Sequence, residues 1–183
     1  MEPDAPLRPL SLDAPPARPA PGRRLRGPGA RRGAAEEGEG VDFDWGCVAW
    51  AFVVLGLAAR LLRYAQGLPF WSDECFLAVN FIGRGFIDLT KPLDNGQICP
   101  LPFLWAERTA VLLLGFSEWS LRLFPLLGSL ASVVLFDRVA RRLLEGPAMA
   151  AAVGIFAASV HPIRHAAEAK PYATDLLAAL VLL

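Results

Sequence analysis

The chain has 183 residues, 54% of them hydrophobic, with 18 basic and 18 acidic side chains and three cysteines. A net charge of zero singles out no class of partner, and three cysteines are too few for a disulfide scaffold. The apolar residues come in blocks broken by charged clusters, not at strand or surface-helix spacing, which disfavours an ordinary soluble domain and points to an all-α, multi-pass transmembrane protein.

Residues 1–40 hold Pro3, Pro6, Pro9, Pro15, Pro16, Pro19, Pro21 and Pro28 with almost no aromatic or β-branched side chains. Such a segment cannot bury enough surface to offset its ordering entropy, so a disordered tail is expected, followed by a membrane domain over 41–183. No apolar core follows soon after the first positive residues, which argues against a cleaved signal peptide. Arg23, Arg24, Arg26, Arg31 and Arg32 precede the first apolar block and by the positive-inside tendency keep the tail cytoplasmic. They lack the interleaved aromatics or folded basic face of a nucleic-acid binder, so no nucleic-acid partner is expected.

The first span is predicted from Trp45 to Leu62, with Cys47 buried as a small hydrophobe and Arg60 and Arg63 snorkelling to the head groups. Tyr64, Phe70 and Trp71 are interfacial, and the chain emerges at Asp73-Glu74. The mixture of apolar and polar residues from Cys75 to about Thr90 predicts a helix along the membrane surface. Turn residues fill Lys91 to Gln97, and Phe103 to Leu114 predicts a second juxtamembrane helix, too short to cross. Cys75 and Cys99 share this outer loop, where a disulfide between them would need an oxidising compartment.

Ser117 is a good N-cap for a second span ending near Phe136, with Arg122 near its outer end and Arg138, Arg141 and Arg142 in a short cytoplasmic loop beyond it. A third span, Pro147 to Pro162, returns to the outer side. The polar run Arg164 to Asp175 then lies on the same side as Asp73-Glu74. A fourth span begins near Leu176, and its few residues before Leu183 are too short to cross, so the chain is expected to be the front part of a longer protein.

Asp73 and Glu74 point different ways on any regular backbone, so one is the primary group and the other supports it; taken alone, the pair also reads as solvated loop charge. Arg164, Glu168, Tyr172 and Asp175 would share one helix face if the helix continued, whereas a break at Lys170 would start a new helix at Pro171. Arg164 and Glu168 also have the spacing of a simple helical ion pair. His161 and His165 have the spacing of some zinc sites, but Pro162 and the missing Glu after His161 speak against a metal pair. Glu107-Arg108 and Arg122 read as interfacial ion pairs, with Arg122 also suited to a phosphate, and Trp45, Trp105 and Trp119 as interface anchors.

Phe70-Trp71-Ser72-Asp73-Glu74, Pro92-Leu93 with Gln97-Ile98-Cys99-Pro100, Ser117-Glu118-Trp119-Ser120-Leu121-Arg122-Leu123-Phe124-Pro125, and Glu168-Ala169-Lys170-Pro171-Tyr172-Ala173-Thr174-Asp175 occur in this order. Together they resemble the opening third of bacterial glycosyltransferases of family 39, which are related to the dolichyl-phosphate-mannose protein mannosyltransferases and have the GT-C fold. The resemblance runs from about Trp45 to the end and departs from the usual pattern at Cys75 and Cys99, where small residues are typical.

The resemblance implies a multi-pass plasma-membrane enzyme with about four spans in this portion, a cytoplasmic N-terminus and an extracytoplasmic active site. It would transfer a sugar from a polyprenyl-phosphate donor to a protein or glycan acceptor by a single inverting displacement. Asp73 would be the base that deprotonates the acceptor hydroxyl, and Glu74 would orient the acceptor or a neighbouring cation. Lys170, with Arg122 or Arg164 in reserve, would offset the departing phosphate. Glu168, Tyr172 and Asp175 would position sugar hydroxyls or Lys170, and Gln97 joins this substrate-binding set. No cofactor is established; the carboxylates are compatible with a divalent cation but define no coordination set. The competing class is a transporter or structural membrane subunit, whose charges would be expected within spans near the midplane.

Overall fold

The computed structural model describes residues 43–183, and the expected tail over 1–40 lies outside the described residues. Among the described residues every regular element is helical, and residues 43–183 form one compact unit. Two helices, α1 (Trp45–Ala65) and α5 (Glu118–Leu143), are long and apolar enough to cross a membrane. Only 22% of the most apolar stretch of α1 is buried, which is unlike the core helix of a soluble protein.

The Asp44 carboxylate caps α1 by accepting from the Cys47 amide at 3.1 Å. Cys47 itself is exposed, on the outward apolar face with Trp50, Val54 and Leu55, and is not the buried residue the sequence suggests. The expected surface helix from Cys75 to Thr90 is broken into α2 (Ser72–Ala78), α3 (Asn80–Gly83) and a single 3₁₀ turn at Asp88–Thr90. Asn80 explains part of the break: its side chain accepts from the Asp94 amide at 2.8 Å and donates to Phe76 and Leu77 carbonyls, which serves the loop rather than a longer helix. Arg84 holds the same loop through Asp94 at 2.6 Å and the Pro92 carbonyl at 2.9 Å. The predicted juxtamembrane helix is present as α4 (Leu101–Leu114).

Ser117 caps α5 as expected, accepting from the Ser120 amide at 3.1 Å. The helix runs on past Phe136 to Leu143, so Arg138, Arg141 and Arg142 lie on its last turns and not in a loop. Arg141 pairs with Asp137 one turn back at 2.8 Å, an arrangement that favours continuing the helix. Gly67, with φ +53°, closes the join between α1 and α5: a Cβ there would stand 2.8 Å from the Trp119 ring. Tyr64 secures the same join by donating to the Trp119 carbonyl at 2.8 Å.

The expected third span is two pieces, α6 (Gly146–Ala158) and α7 (Val160–His165), separated at Ser159, whose ψ of 125° is extended. Thirteen residues give α6 a length of about 20 Å, short of a bilayer core of ~30 Å. The break explains a second departure. Arg60 does not snorkel but is fully buried, donating to the Ala157 carbonyl at 3.1 Å, the Gly56 carbonyl at 2.9 Å and Ser129 at 3.0 Å. It thereby serves a backbone carbonyl at the end of α6, as an apolar setting requires. Close approach of α1 and α6 depends on small residues, since a Cβ on Gly56 would meet the Ala157 Cβ at 2.9 Å. The last helix, α8 (Tyr172–Val181), begins directly after Pro171, as the alternative with a break at Lys170 predicts.

Apolar packing has two centres. Ala49, Val53, Val133 and Val153 join α1, α5 and α6, while Leu77, Phe81, Phe103, Leu104 and Leu121 pack the outer loop onto α5. Ala169 belongs to the second centre, so the turn between α7 and α8 is fastened to the outer loop.

Candidate active site

A cleft of about 210 Å³ opens where α2 faces the turn between α7 and α8, lined by Trp71, Asp73, Glu74, Arg164, His165, Glu168, Lys170 and Tyr172. Residues about ninety positions apart therefore form one site, and the two polar blocks singled out from the sequence converge.

Asp73 and Glu74 both sit in the first turn of α2, with opposite surroundings. Glu74 is buried and saturated: Oε1 accepts from Arg122 Nε at 3.1 Å and the Ala169 amide at 2.7 Å, and Oε2 accepts from Arg122 Nη2 at 2.9 Å and the Trp71 amide at 3.0 Å. It is thus bound at once to its own helix, to α5 and to the turn that carries Lys170. It holds a neighbouring cation, and each of its oxygens already accepts two hydrogen bonds.

That cation, Arg122, is equally committed. It is 4% exposed, donates also to the Leu68 and Pro69 carbonyls, and stacks over Phe70 with 4.9 Å to the ring centre. Arg122 does not line the cleft, and its guanidinium is engaged by Glu74 and the two carbonyls.

Asp73 is 59% exposed at its side chain, and its Oδ2 lies 3.0 Å from Lys170 Nζ. Lys170 is almost fully buried and donates as well to Gln97 Oε1 at 2.7 Å, so Gln97 reaches the site through the lysine. A buried ammonium shared between a carboxylate and an amide is oriented by its two acceptors.

Glu168 accepts from Arg164 Nε at 2.6 Å on one oxygen and lies 2.6 Å from His165 Nδ1 on the other. Burial pushes the Glu168 carboxyl up, but the hydrogen bonds from His165 and Arg164 outweigh it and leave it below its ordinary value. Arg164 lies over the Trp71 ring at 5.1 Å, and the Tyr172 ring lies 4.7 Å from His165. Asp175, one turn into α8, is not among the cleft residues.

His165 and Trp71 enter the site although neither belongs to the predicted site set. For His165 the only sequence signal is its spacing from Glu168, because a residue three positions before a carboxylate reaches it on a helical turn. His161, which has the spacing from His165 of some zinc sites, has its ring centre 6.3 Å away and is exposed. Among the described residues no group of three His, Cys, Asp or Glu side chains is arranged to hold a metal. Cys75 and Cys99 are free thiols, and burial pushes the Cys99 thiol up to about 12, so it is no ready nucleophile.

Glu107 and Arg108 are not an ion pair. Both Glu107 oxygens are buried in α4 without a partner among the described residues, and burial pushes the carboxyl up to about 9, whereas Arg108 donates to the Phe81 carbonyl at 2.7 Å.

The arrangement offers one accessible carboxylate beside an oriented ammonium, backed by buried ion pairs. This suits proton abstraction from a hydroxyl next to a developing anion. No family model, no curated protein and no solved structure matches this chain.

Proposed function

We propose that this protein is a membrane glycosyltransferase of GT-C type that takes a sugar from a polyprenyl-phosphate donor and passes it to an acceptor hydroxyl on the extracytoplasmic side. The observation that carries the reading is the pairing of exposed Asp73 with buried Lys170 across the cleft. The acceptor hydroxyl gives its proton to Asp73 as the acceptor oxygen bonds to the anomeric carbon from the face opposite the phosphate. The bond from that carbon to the phosphate oxygen breaks, the polyprenyl phosphate leaves with the electron pair, and configuration inverts. Lys170 and Arg164 offset the negative charge that gathers on the leaving oxygen.

Sidedness supports the reading. The cleft lies by the first turns of α5, while Arg138, Arg141 and Arg142 lie on its last turns, and a 26-residue helix separates its ends by about 39 Å. Positive residues at the far end favour a cytoplasmic location there, leaving the cleft outside. The transporter reading gains less support. Arg60, the buried cation of α1, spends Nε and Nη1 on packed helices and lines none of the clefts described above.

The test is transfer from labelled polyprenyl-phosphate sugars by membranes carrying the intact protein. Asp73→Asn is expected to lower transfer by about 10²–10⁴-fold, the worth of a general base, without changing membrane insertion. Undiminished transfer would overturn the assignment.

A further inference from the structure

Three carboxylates in and behind the cleft meet three permanent cations one to one: Asp73 with Lys170, Glu74 with Arg122, and Glu168 with Arg164. These three pairs therefore carry no net charge of their own. His165 is the remaining basic group on the cleft wall, with 28% of its side chain exposed and Nδ1 held by Glu168 at 2.6 Å. With Nδ1 engaged, Nε2 is the nitrogen left for a ligand or a proton.

We infer that His165 takes up a proton when a phosphate-linked ligand enters, and so supplies the positive charge that the paired residues lack. The inference rests on the proposed donor class and adds a residue to its recognition. Proton uptake is favoured from two directions, because Glu168 already accepts from one side of the ring and the phosphate would accept from the other. The groups around His165 are Glu168 and Arg164 near it in the chain, His161 one turn back and Tyr172 on α8. Asp73 and Glu74 on α2 line the opposite wall of the cleft and Lys170 lies on the same turn as His165, while Arg122 behind Glu74, Asp175 on α8 and Arg60 on α1 lie outside the cleft. Arg164 opposes the added charge, yet its guanidinium is spent in part on Glu168 and on the Trp71 face, while the incoming anion brings a charge that the existing pairs do not already balance.

The probe is farnesyl methyl phosphodiester, whose single negative charge stays constant through the neutral range. Calorimetric titration of the purified intact protein in two buffers of different ionisation enthalpy should show net proton uptake. Affinity should fall by up to about tenfold per pH unit on the alkaline side of the histidine range. His165→Asn should bind more weakly, with no uptake and a flat pH profile. His165→Lys should restore affinity with the profile still flat, an outcome that a purely structural role does not give. Wild-type binding without proton uptake, or no binding at all, overturns the inference. Proton-linked binding in a protein that transfers no sugar would instead overturn the transferase reading while leaving His165 as the charge-matching group.

Discussion

Arg122 and Glu74 form a bidentate ion pair, Nε to Oε1 at 3.1 Å and Nη2 to Oε2 at 2.9 Å, with 5% and 3% of their side chains exposed. The pair joins α5 to α2, and through the Ala169 amide on the same carboxylate it fixes the turn that presents Lys170. Desolvation makes such a pair a modest net contributor when intact and a costly one when halved. Arg122→Met should therefore destabilise the protein by about 3–5 kcal/mol, and adding Glu74→Gln should recover part of the loss. Thermal melts of the purified protein in detergent, arranged as a double-mutant cycle, measure the coupling. Additive losses would show that the two side chains do not act as a unit.

Lys170 is the next residue to test, since it pairs Asp73 and in the proposed reaction would face the leaving group. Lys170→Met should lower transfer by about 10²–10³-fold, the range for removing one preoriented charge from a transition state. Lys170→Arg keeps the charge but not the compact geometry, and should recover only part of the activity. Gln97→Ala removes one of the two acceptors orienting the ammonium and should have a smaller effect of the same kind. Rates measured at saturating donor separate this from weaker binding.

Much of this site was legible in the sequence because its residues sit at chain breaks. Ser117 announces a cap, and Pro171 announces the start of α8. Arginines clustered beyond an apolar block give both polar segments one side. A division between Asp73 and Glu74 was expected, but the burial of Glu74 was not legible, because it depends on Arg122, 48 positions away, and on a backbone amide in another turn. Arg60 shows the same limit. A cation near the end of an apolar helix reads as one that reaches for head groups, and only the break at Ser159 creates the buried carbonyl that holds it. The length of α5 was hidden because three arginines resemble a loop, although an ion pair at i, i+4 lets the helix carry them.

Glu168 gives a pH prediction. Its carboxyl is held below the ordinary 4.5, so the folded protein binds that proton less readily than the unfolded chain. The resulting stability is present above about pH 4.5 and is lost as pH falls through the depressed value. Thermal midpoints from neutral pH down into this acid range should decline less steeply in Glu168→Gln than in the wild type. Parallel curves would show that the carboxylate is not held by Arg164 and His165 in the folded state.

Glu107 has the opposite sign. Its carboxyl is pushed up to about 9, so in the folded protein it keeps its proton at neutral pH while the unfolded chain releases it. Its favourable contribution is fully present below the ordinary 4.5 and is lost as pH rises towards 9, leaving the wild type penalised across the neutral range. Both oxygens also lack partners, a further cost of about 1–3 kcal/mol for a buried polar group. Glu107→Leu removes both burdens among Phe103, Leu104 and Val111 on the same helix, and should raise the thermal midpoint. The gain should be larger at pH 8 than at pH 5, because the proton linkage acts only above the ordinary carboxylate value. A loss of stability at both pH values would mean that the carboxyl has a partner in the assembled protein and that its burial is functional.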